Sequence, residues 1–303
     1  MSNTPPIGCD KSTCDKYRVQ NFRHEKGRSF RMTQTFTHKT FAFGENWQQF
    51  LSVLDNDRIQ MAEDSLKGML QVDNLVGKQF IDVGSGSGLF SLAARRLGAQ
   101  VHSFDYDPQS VACTAILKER YFPDDPHWQV EQGSILDLDY VNSLGQFDIV
   151  YSWGVLHHTG AMWDALILVQ SLVRENGLLF IAIYNDQGWL SRFWLAVKQL
   201  YGANNLSSII VTAIFTPYFV GGHLIKSLLR GKIANPFDFR RAGTGRRGMS
   251  RYYDMIDWLG GYPFEVASPD QITEFYESHG FHRQKIVSVG SKLGCNQFVF
   301  KNT

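Results

Sequence analysis

Three glycines at alternate positions, Gly84, Gly86 and Gly88, are the residues whose type and spacing point most directly to chemistry. They follow an apolar run that contains Asp82, and a helical pattern and a second apolar run ending at Asp105 come after them. Glycine lets a backbone approach a ligand closely, and an acid that ends the next strand can accept hydrogen bonds from ribose hydroxyls. The order strand, glycine loop, helix, strand, acid therefore predicts a site for a cofactor that contains adenosine.

The spacing of the glycines indicates which cofactor this is. A dinucleotide site follows the pattern G-x-G-x-x-G, and here the third glycine of that pattern would fall on Leu89. The loop instead reads D-x-G-x-G-x-G, and it resembles the first motif of the class I S-adenosylmethionine (SAM)-dependent methyltransferases. The resemblance implies SAM as cofactor. The expected cofactor contacts in this unit are Asp82, Gly84, Ser85, Gly86, Gly88 and Asp105.

The resemblance covers residues 76–185 and 264–301. Within it, the third strand with the loop that borders adenine, the fourth strand and the fifth strand correspond to residues 128–135, 147–152 and 177–183. The segment 153–158 resembles the stretch after strand four in small-molecule methylases similar to those of ubiquinone biosynthesis. The resemblance adds four expected cofactor contacts, which are Tyr106, Ser134, Ile135 and Trp153.

The fold that must position these residues is of the α/β class. Strand and helix patterns alternate over residues 78–185, which predicts a parallel sheet with helices on both faces. A helix over residues 268–280 and strands near 284–290 and 296–301 resemble the closing part of the family fold. We therefore expect a Rossmann-like, doubly wound, mostly parallel sheet of seven strands, the last one antiparallel. N-terminal helices near 45–54 and 56–70 and a large helical lid insertion after strand five complete this prediction.

The predicted domain organisation has four parts. They are an N-terminal tail (1–45), a SAM-binding core (46–185), a substrate-binding lid insertion (186–267) and a C-terminal helix and hairpin that complete the core (268–303). The insertion is a separate element because connections in compact α/β units are usually only a few residues long.

The lid contains an apolar stretch and a basic stretch. Residues 199–225 carry no charged side chain, and residues 206–225 are long enough to cross a membrane. Because Pro217, Gly221 and Gly222 interrupt this stretch, we expect a buried lid helix, with an interfacial or lipid-gating helix and a membrane span as alternatives. The six basic residues between positions 230 and 247 fit either a solvated lid edge or contact with an anionic substrate, tRNA or a lipid surface.

Methyl transfer is an in-line displacement, so the protein must align the nucleophile, exclude water and remove a proton from a weak nucleophile. Side chains after strands four and five are best placed for this chemistry. The candidate catalytic residues are His157, His158, Tyr184 and, from the lid, Asp257. Adjacent residues on a helix point about 100° apart, so we expect only one of the two histidines to face the pocket. The candidate substrate contacts are Asn185, Tyr252, Trp258, Tyr262 and Glu265.

Several other classes of enzyme fit less well. Metal-dependent catechol-type methylases place an Asp after strand four, where this chain has Ser152, so we expect no catalytic metal. The Asn/Asp-Pro-Pro-aromatic motif of amino-directed nucleic-acid methylases is missing at the same place. The formal net charge of +1 also produces no global attraction to nucleic acid.

The four cysteines fit no disulfide framework and no signal peptide opens the chain, so we expect a cytoplasmic protein. The resulting hypothesis is a SAM-dependent methyltransferase that acts on oxygen or nitrogen of a small or medium organic acceptor. Three alternatives stay open: methylation of a prenylated or lipid acceptor at a membrane surface through residues 206–225, methylation of RNA, and SAM binding without catalysis.

Overall fold

The computed structural model describes residues 51, 54–229 and 251–303. The predicted tail, most of the helix expected near 45–54 and the six basic residues of the lid lie outside the described residues. The helix expected near 56–70 is α1, Asn56–Leu70, whose N-terminus is capped by the Asp55 side chain.

A single seven-stranded sheet organises the described chain. Its strands are β1 (Gln79–Val83), β2 (Gln100–Asp105), β3 (Trp128–Gln132), β4 (Phe147–Trp153), β5 (Val173–Tyr184), β6 (Phe281–Val287) and β7 (Cys295–Asn302). Their spatial order is β3-β2-β1-β4-β5-β7-β6. The first five strands pair in parallel, and β7 runs antiparallel to both of its neighbours. The predicted fold class is therefore confirmed.

Helices connect these strands. After α1 come α2 (Leu89–Arg96), α3 (Pro108–Tyr121), α4 (Leu138–Leu144), α5 (Met162–Ser171), α6 (Trp189–Ala203), α7 (Asn205–Leu228), α8 (Arg251–Gly260) and α9 (Pro269–Ser278). A short 3₁₀ turn, Leu156–His158, lies between β4 and α5. Strand order reverses between β1 and β4, and ligands of open α/β sheets bind at the carboxyl ends of the strands at such a point.

The closing helix and strands form for local reasons that the sequence shows. Ser268 and Gln271 make a capping box at the start of α9, and Gly280 adopts a left-handed backbone conformation directly after it. The following strand begins at Phe281, three residues earlier than predicted, because this side chain is buried against Tyr276 at a ring distance of 5.6 Å. An aromatic residue directly after a helix-ending glycine can thus start a strand at once.

Apolar side chains cover both faces of the sheet. Helices α5 and α9 pack on one face, and α1, α2 and α3 pack on the other. The lid helices form a third apolar cluster of their own, which includes Trp194, Val211, Met255 and Leu259. The lid thus has its own small core beside the carboxyl ends of β4 and β5.

Helix α7 differs from the buried lid helix that we predicted. Pro217 lies inside α7 without ending it, and Asn204 and Ser207 form a capping box at its start. One side packs on α6 and α8, whereas only 6% of the apolar window Asn205–Gly222 is buried. By length and composition, this is the described helix that could cross a membrane. The prediction of a buried helix was wrong because one side of α7 is enough to cover the small lid core.

Candidate functional site

The glycine loop between β1 and α2 has the backbone geometry of a cofactor cradle. Gly84, Gly86 and Gly88 all have positive φ angles, of 79°, 54° and 77°. A Cβ atom built on Gly84 would lie 2.4 Å from a methyl carbon of Val155, and one on Gly88 would lie 2.8 Å from the Cα atom of Thr114. The loop is therefore restricted to glycine both by its conformation and by close neighbours.

Asp105 at the end of β2 is tied to this loop. One carboxylate oxygen accepts a hydrogen bond from Gly86 N at 2.9 Å, and the other accepts from Asp107 N at 2.9 Å. Burial raises the pKa of Asp105 to about 6, against the lowering effect of these backbone hydrogen bonds. Each carboxylate oxygen has two lone pairs, so both can still accept hydroxyl hydrogens from a ribose. The backbone cradle and this acceptor fit the adenosine half of SAM.

Asp82 lies beneath the loop and is only 2% exposed. Its carboxylate accepts a hydrogen bond from the Ser91 hydroxyl at 2.5 Å, and the Ser103 hydroxyl in turn donates to Ser91 at 2.8 Å. Trp128 Nε1 donates to Ser103 at 2.9 Å and completes the chain. Burial raises the pKa of Asp82 to about 7, with the nearby Asp105 charge as a smaller cause in the same direction. In this position Asp82 supports the loop from below, and its direct contact with SAM stays a prediction.

The other expected cofactor residues surround the loop at different depths. The side chain of Tyr106 is 70% exposed directly after Asp105, whereas Ile135 is buried in the core. The Ser134 hydroxyl accepts a hydrogen bond from Leu136 N at 3.2 Å, and Ser85 bonds to the Thr114 hydroxyl at 2.9 Å. Trp153 is half-buried at the end of β4. Tyr106 therefore offers a free aromatic surface beside the acid, and contact by the other residues stays a prediction.

Three candidate catalytic residues, His157, His158 and Tyr184, come together at the carboxyl ends of β4 and β5. The ring centroid of Tyr184 lies 4.1 Å from that of His157 and 5.4 Å from that of His158. Two rings from the lid, Phe264 and Trp258, lie 5.1 Å and 5.7 Å from Tyr184. The structure thus joins residues after β4, at the end of β5 and from the end of the lid into one aromatic cluster.

Both histidines are held in the neutral form. Burial is the main cause, and the positive charge of Lys198 acts in the same direction. The pKa of His158 falls to about 3 and that of His157 falls well below its usual range. His158 Nδ1 lies 2.6 Å from the Pro263 carbonyl oxygen, so this nitrogen carries the proton and donates. No hydrogen bond of normal geometry reaches either nitrogen of His157 among the described residues, although the Ala182 carbonyl is near enough to favour its charged form.

The end of the lid is fastened to the turn that carries the histidines. Glu265 N donates to the His157 carbonyl at 3.0 Å, and the Glu265 carboxylate accepts from Met162 N at 2.9 Å, at the start of α5. Burial raises the pKa of Glu265, while the backbone hydrogen bonds lower it. Glu265 therefore has a structural partner, and its contact with substrate stays a prediction.

The remaining candidates lie around this cluster. The Asn185 amide donates to the Gly290 carbonyl and accepts from Asn296, which ties it to the β6–β7 connection. Tyr252, Asp257 and Tyr262 are half-buried on or just after α8. Among the described residues, no three His, Cys, Asp or Glu side chains meet in an arrangement that could hold a metal ion.

Sequence reasoning missed Lys198, a fully buried lysine on α6. Its Nζ atom donates to the Trp258 carbonyl and lies 4.7 Å from the Trp258 ring and 4.9 Å from the Phe264 ring. Burial lowers the pKa of Lys198 to about 7, while the Asp257 charge acts in the opposite direction. The available signal was its helical spacing, since Lys198 falls four residues after Trp194 on the apolar side of α6.

Comparison with known proteins shows similarity to methyltransferases over about a third of the chain. Residues 81–179 match the family profile described as a methyltransferase domain. A tRNA U34 carboxymethyltransferase from Pseudomonas aeruginosa is 32% identical over 109 residues, which are 35% of this chain and 32% of that protein. A ubiquinone biosynthesis O-methyltransferase from Glaesserella parasuis is 28% identical over 120 residues, which are 38% of this chain and 49% of that protein. The matches thus span between about a third and a half of the length of these relatives.

Among solved structures, a magnesium protoporphyrin IX methyltransferase from Synechocystis PCC 6803 with bound S-adenosylhomocysteine is 13% identical. The superposition covers 86% of this chain and 94% of that chain at a TM-score of 0.49.

Proposed function

We propose that this chain methylates oxygen or nitrogen of a small or medium organic acceptor. The premise is that it carries a class I methyltransferase domain whose cofactor is SAM. The observation that carries the proposal is that two groups of residues, the glycine loop with Asp105 and an aromatic cluster, lie on one edge of the sheet. The glycine loop and Asp105 follow β1 and β2, and the closed aromatic cluster of Tyr184, Trp258 and Phe264 covers the ends of β4 and β5. Val155 joins the two, since it packs against Gly84 two residues before His157.

SAM supplies an electrophilic methyl group, and the residues of this chain would bind the cofactor, orient the acceptor and exclude water. Asp105 would accept the ribose hydroxyls, and the glycines would let the adenosine half lie directly against the loop backbone. The aromatic cluster would provide a dry, flat-walled site for the acceptor, as apolar and aromatic linings do in most small-molecule sites.

Proton removal from the acceptor is the least determined step. His157, His158, Tyr184 and Asp257 remain the proposed candidates, and a neutral imidazole can accept a proton. The lowered pKa values of both histidines make them weak bases in the closed cluster. An acceptor that binds already ionised would need no base, and the buried Lys198 beside the cluster would favour such an acceptor.

The direct test is incubation of this 303-residue chain with a native extract and isotopically labelled SAM, followed by mass spectrometry of small molecules. We expect one labelled product, and none from the Gly86→Val variant, because valine is strained at the positive φ of Gly86 and would distort the loop. Labelled small molecules that appear equally with both proteins would contradict the proposal.

A second candidate function is methylation of a lipid or prenylated acceptor at a membrane surface. The specific observation is the outer side of α7, where Leu206, Ile209, Ile214 and Tyr218 are each more than 60% exposed. Monomeric soluble proteins rarely expose apolar patches of this kind without a use. Binding to phosphatidylcholine vesicles, with and without phosphatidylglycerol, tests this function. Ile209→Lys with Ile214→Lys should abolish the binding, and Ile116→Lys on the distant helix α3 is the control.

An RNA acceptor is the third candidate, favoured by the similarity to the tRNA-modifying relative over about a third of the chain. A gel-shift titration with total tRNA at increasing salt tests it, because phosphate contacts make binding strongly salt-dependent. Labelled methyl groups in tRNA, and none in small molecules, would favour this candidate over the first.

A further inference from the structure

We propose that Lys198 and the groups around it form a binding site for an anionic oxygen of the acceptor, a carboxylate or a phenolate on a flat, aromatic molecule. We call Lys198, His157, Trp194, Trp258 and Phe264 the Lys198 cluster. This inference rests on the proposed methyltransferase function and narrows its acceptor to an acid.

The first argument is that the cluster contains hydrogen-bond donors without acceptors. Trp194 is 4% exposed, and its Nε1 atom has no hydrogen-bond partner among the described residues. His157 is fully buried and, apart from the poorly aligned Ala182 carbonyl, no group among the described residues satisfies its nitrogens. Trp258 Nε1 is likewise buried and unpartnered there. Buried polar groups are normally satisfied, so several orphaned groups at one place indicate a missing partner. Indole nitrogens can only donate, and the missing partner must therefore accept.

The second argument is the charge of Lys198. A fully buried ammonium normally pairs with a carboxylate, yet among the described residues no carboxylate oxygen lies within ion-pair distance of Nζ, and the Asp257 charge acts on it only from farther away. Its one hydrogen bond goes to the Trp258 carbonyl, which leaves two N–H groups facing aromatic rings. An anionic oxygen would accept from these groups far better than a ring does.

The third argument is a route to the cluster. A cleft of about 370 Å³ is lined by Ser191, Arg192 and Leu195 of α6, and by Phe264. The Phe264 ring lies 4.9 Å from Lys198 Nζ, so this one side chain lines the cleft on one side and covers the ammonium on the other. We therefore expect a ligand to pass from the cleft to the cluster by displacing the Phe264 ring. The aromatic walls then select a flat acceptor, and the donors select its acidic oxygen.

The lowered pKa of Lys198, about 7, supplies a distinctive signature. The groups that act on its charge are Asp257 from α8 and His157 and His158 from the turn after β4. At pH 8 the lysine is mostly neutral, and binding an anion would raise its pKa again. Binding should therefore take up about one proton for each anion bound at pH 8.

The experiment is calorimetry on the full chain with saturating S-adenosylhomocysteine at pH 8, in two buffers that differ in ionisation enthalpy. The probes are benzoate, 4-nitrophenolate and the neutral benzamide. We expect at least one anion to bind about tenfold or more tighter than benzamide, with proton uptake. The tighter anion identifies the oxygen as carboxylate or phenolate. Equal binding of all three probes, or no binding, would overturn the proposal.

Lys198→Met is the decisive variant, because methionine fills the same space without the charge. It should remove the preference for the anion and the proton uptake, while affinity for S-adenosylhomocysteine stays unchanged. Lys78→Met, an exposed lysine before β1, is the matched control and should change neither. If Lys198 only fastens α6 to α8, the methionine variant will unfold at a lower temperature and keep the anion preference, which refutes the binding role.

Failure of this inference can be told apart from failure of the proposed function. Methyl transfer to an acceptor that lacks an acidic oxygen would support the proposed function and refute the anion site. Tight anion binding by a protein that labels nothing in the extract would support the anion site and refute the proposed function.

Discussion

Asp105 is the residue on which the proposed cofactor site depends most. Its two oxygens already organise Gly86 and Asp107, and we expect them to accept the ribose hydroxyls as well. Asp105→Ala should weaken SAM binding by about 1.5–3 kcal/mol, roughly tenfold or more, measured by calorimetry. Asp73→Ala, an exposed acid, is the control. Unchanged affinity in a folded Asp105→Ala protein would move the ribose site elsewhere, with Asp107 the first residue to test.

Asp82 makes stability depend on pH. Its pKa of about 7 in the folded protein lies above the ordinary value of 3.8, so the folded state binds the proton more tightly. The stability that this proton provides is fully present below about pH 4 and is lost as the pH rises through about 7. Asp82→Asn keeps an acceptor for Ser91 without a buried charge. It should raise the thermal midpoint of the cofactor-free protein at pH 8 by at least about 2 °C.

Thermal unfolding between pH 4 and pH 8 checks this prediction, with Asp64→Asn on the exposed side of α1 as the control. Asp105 contributes a slope of the same sign, so the Asn variant should flatten the pH dependence without removing it. An Asp82→Asn profile parallel to that of the wild type would show that Asp82 stays ionised in the folded protein.

At the scale of elements, one hydrogen bond connects the end of the lid to the core: Met162 N, at the start of α5, donates to the Glu265 carboxylate. An anion that accepts from a free amide at a helix N-terminus stabilises the helix through both the hydrogen bond and the helix dipole. Glu265→Ala should destabilise the protein by about 1 kcal/mol in urea unfolding. Glu265→Gln, which keeps an acceptor oxygen, should cost clearly less. Equal losses of unfolding free energy in the two variants would mean that side-chain packing around Glu265, and not its hydrogen bond, holds the end of the lid.

At the scale of the whole molecule, binding and transfer should be separable. The lid helices have an apolar cluster of their own, whereas the glycine loop and Asp105 rest on the sheet. Replacing residues 190–260 with a short Gly/Ser linker should leave a core that binds SAM but transfers no methyl group, because it lacks Trp258 and Lys198. Calorimetry with SAM and the labelled-extract assay measure the two properties. A lidless core that methylates the same acceptor at a comparable rate would refute the claim that methyl transfer requires the lid.

The carboxyl edge of the sheet was predictable because its signals are local. Glycines at 84, 86 and 88 must adopt positive φ angles within five consecutive residues, and Asp105 ends the next strand. The strand and helix alternation gave the sheet class for the same reason, since each element is encoded by a short periodic pattern. Even the capping box of α9 can be read from Ser268 and Gln271 alone.

Only the tertiary structure decided the contacts between residues that are far apart in the chain. In the sequence, Lys198 is an ordinary charged residue in a helical pattern. In the folded protein α8 and Phe264 cover it, and burial lowers its pKa. The outer side of α7 is apolar in the sequence, but only the packing of α6 and α8 on its other side shows which residues stay exposed. The sequence by itself determined the cofactor cradle, because backbone conformation is a local property. The chemistry of the proposed acceptor site depends on desolvation and on pairing across the fold, and these exist only once the chain has folded.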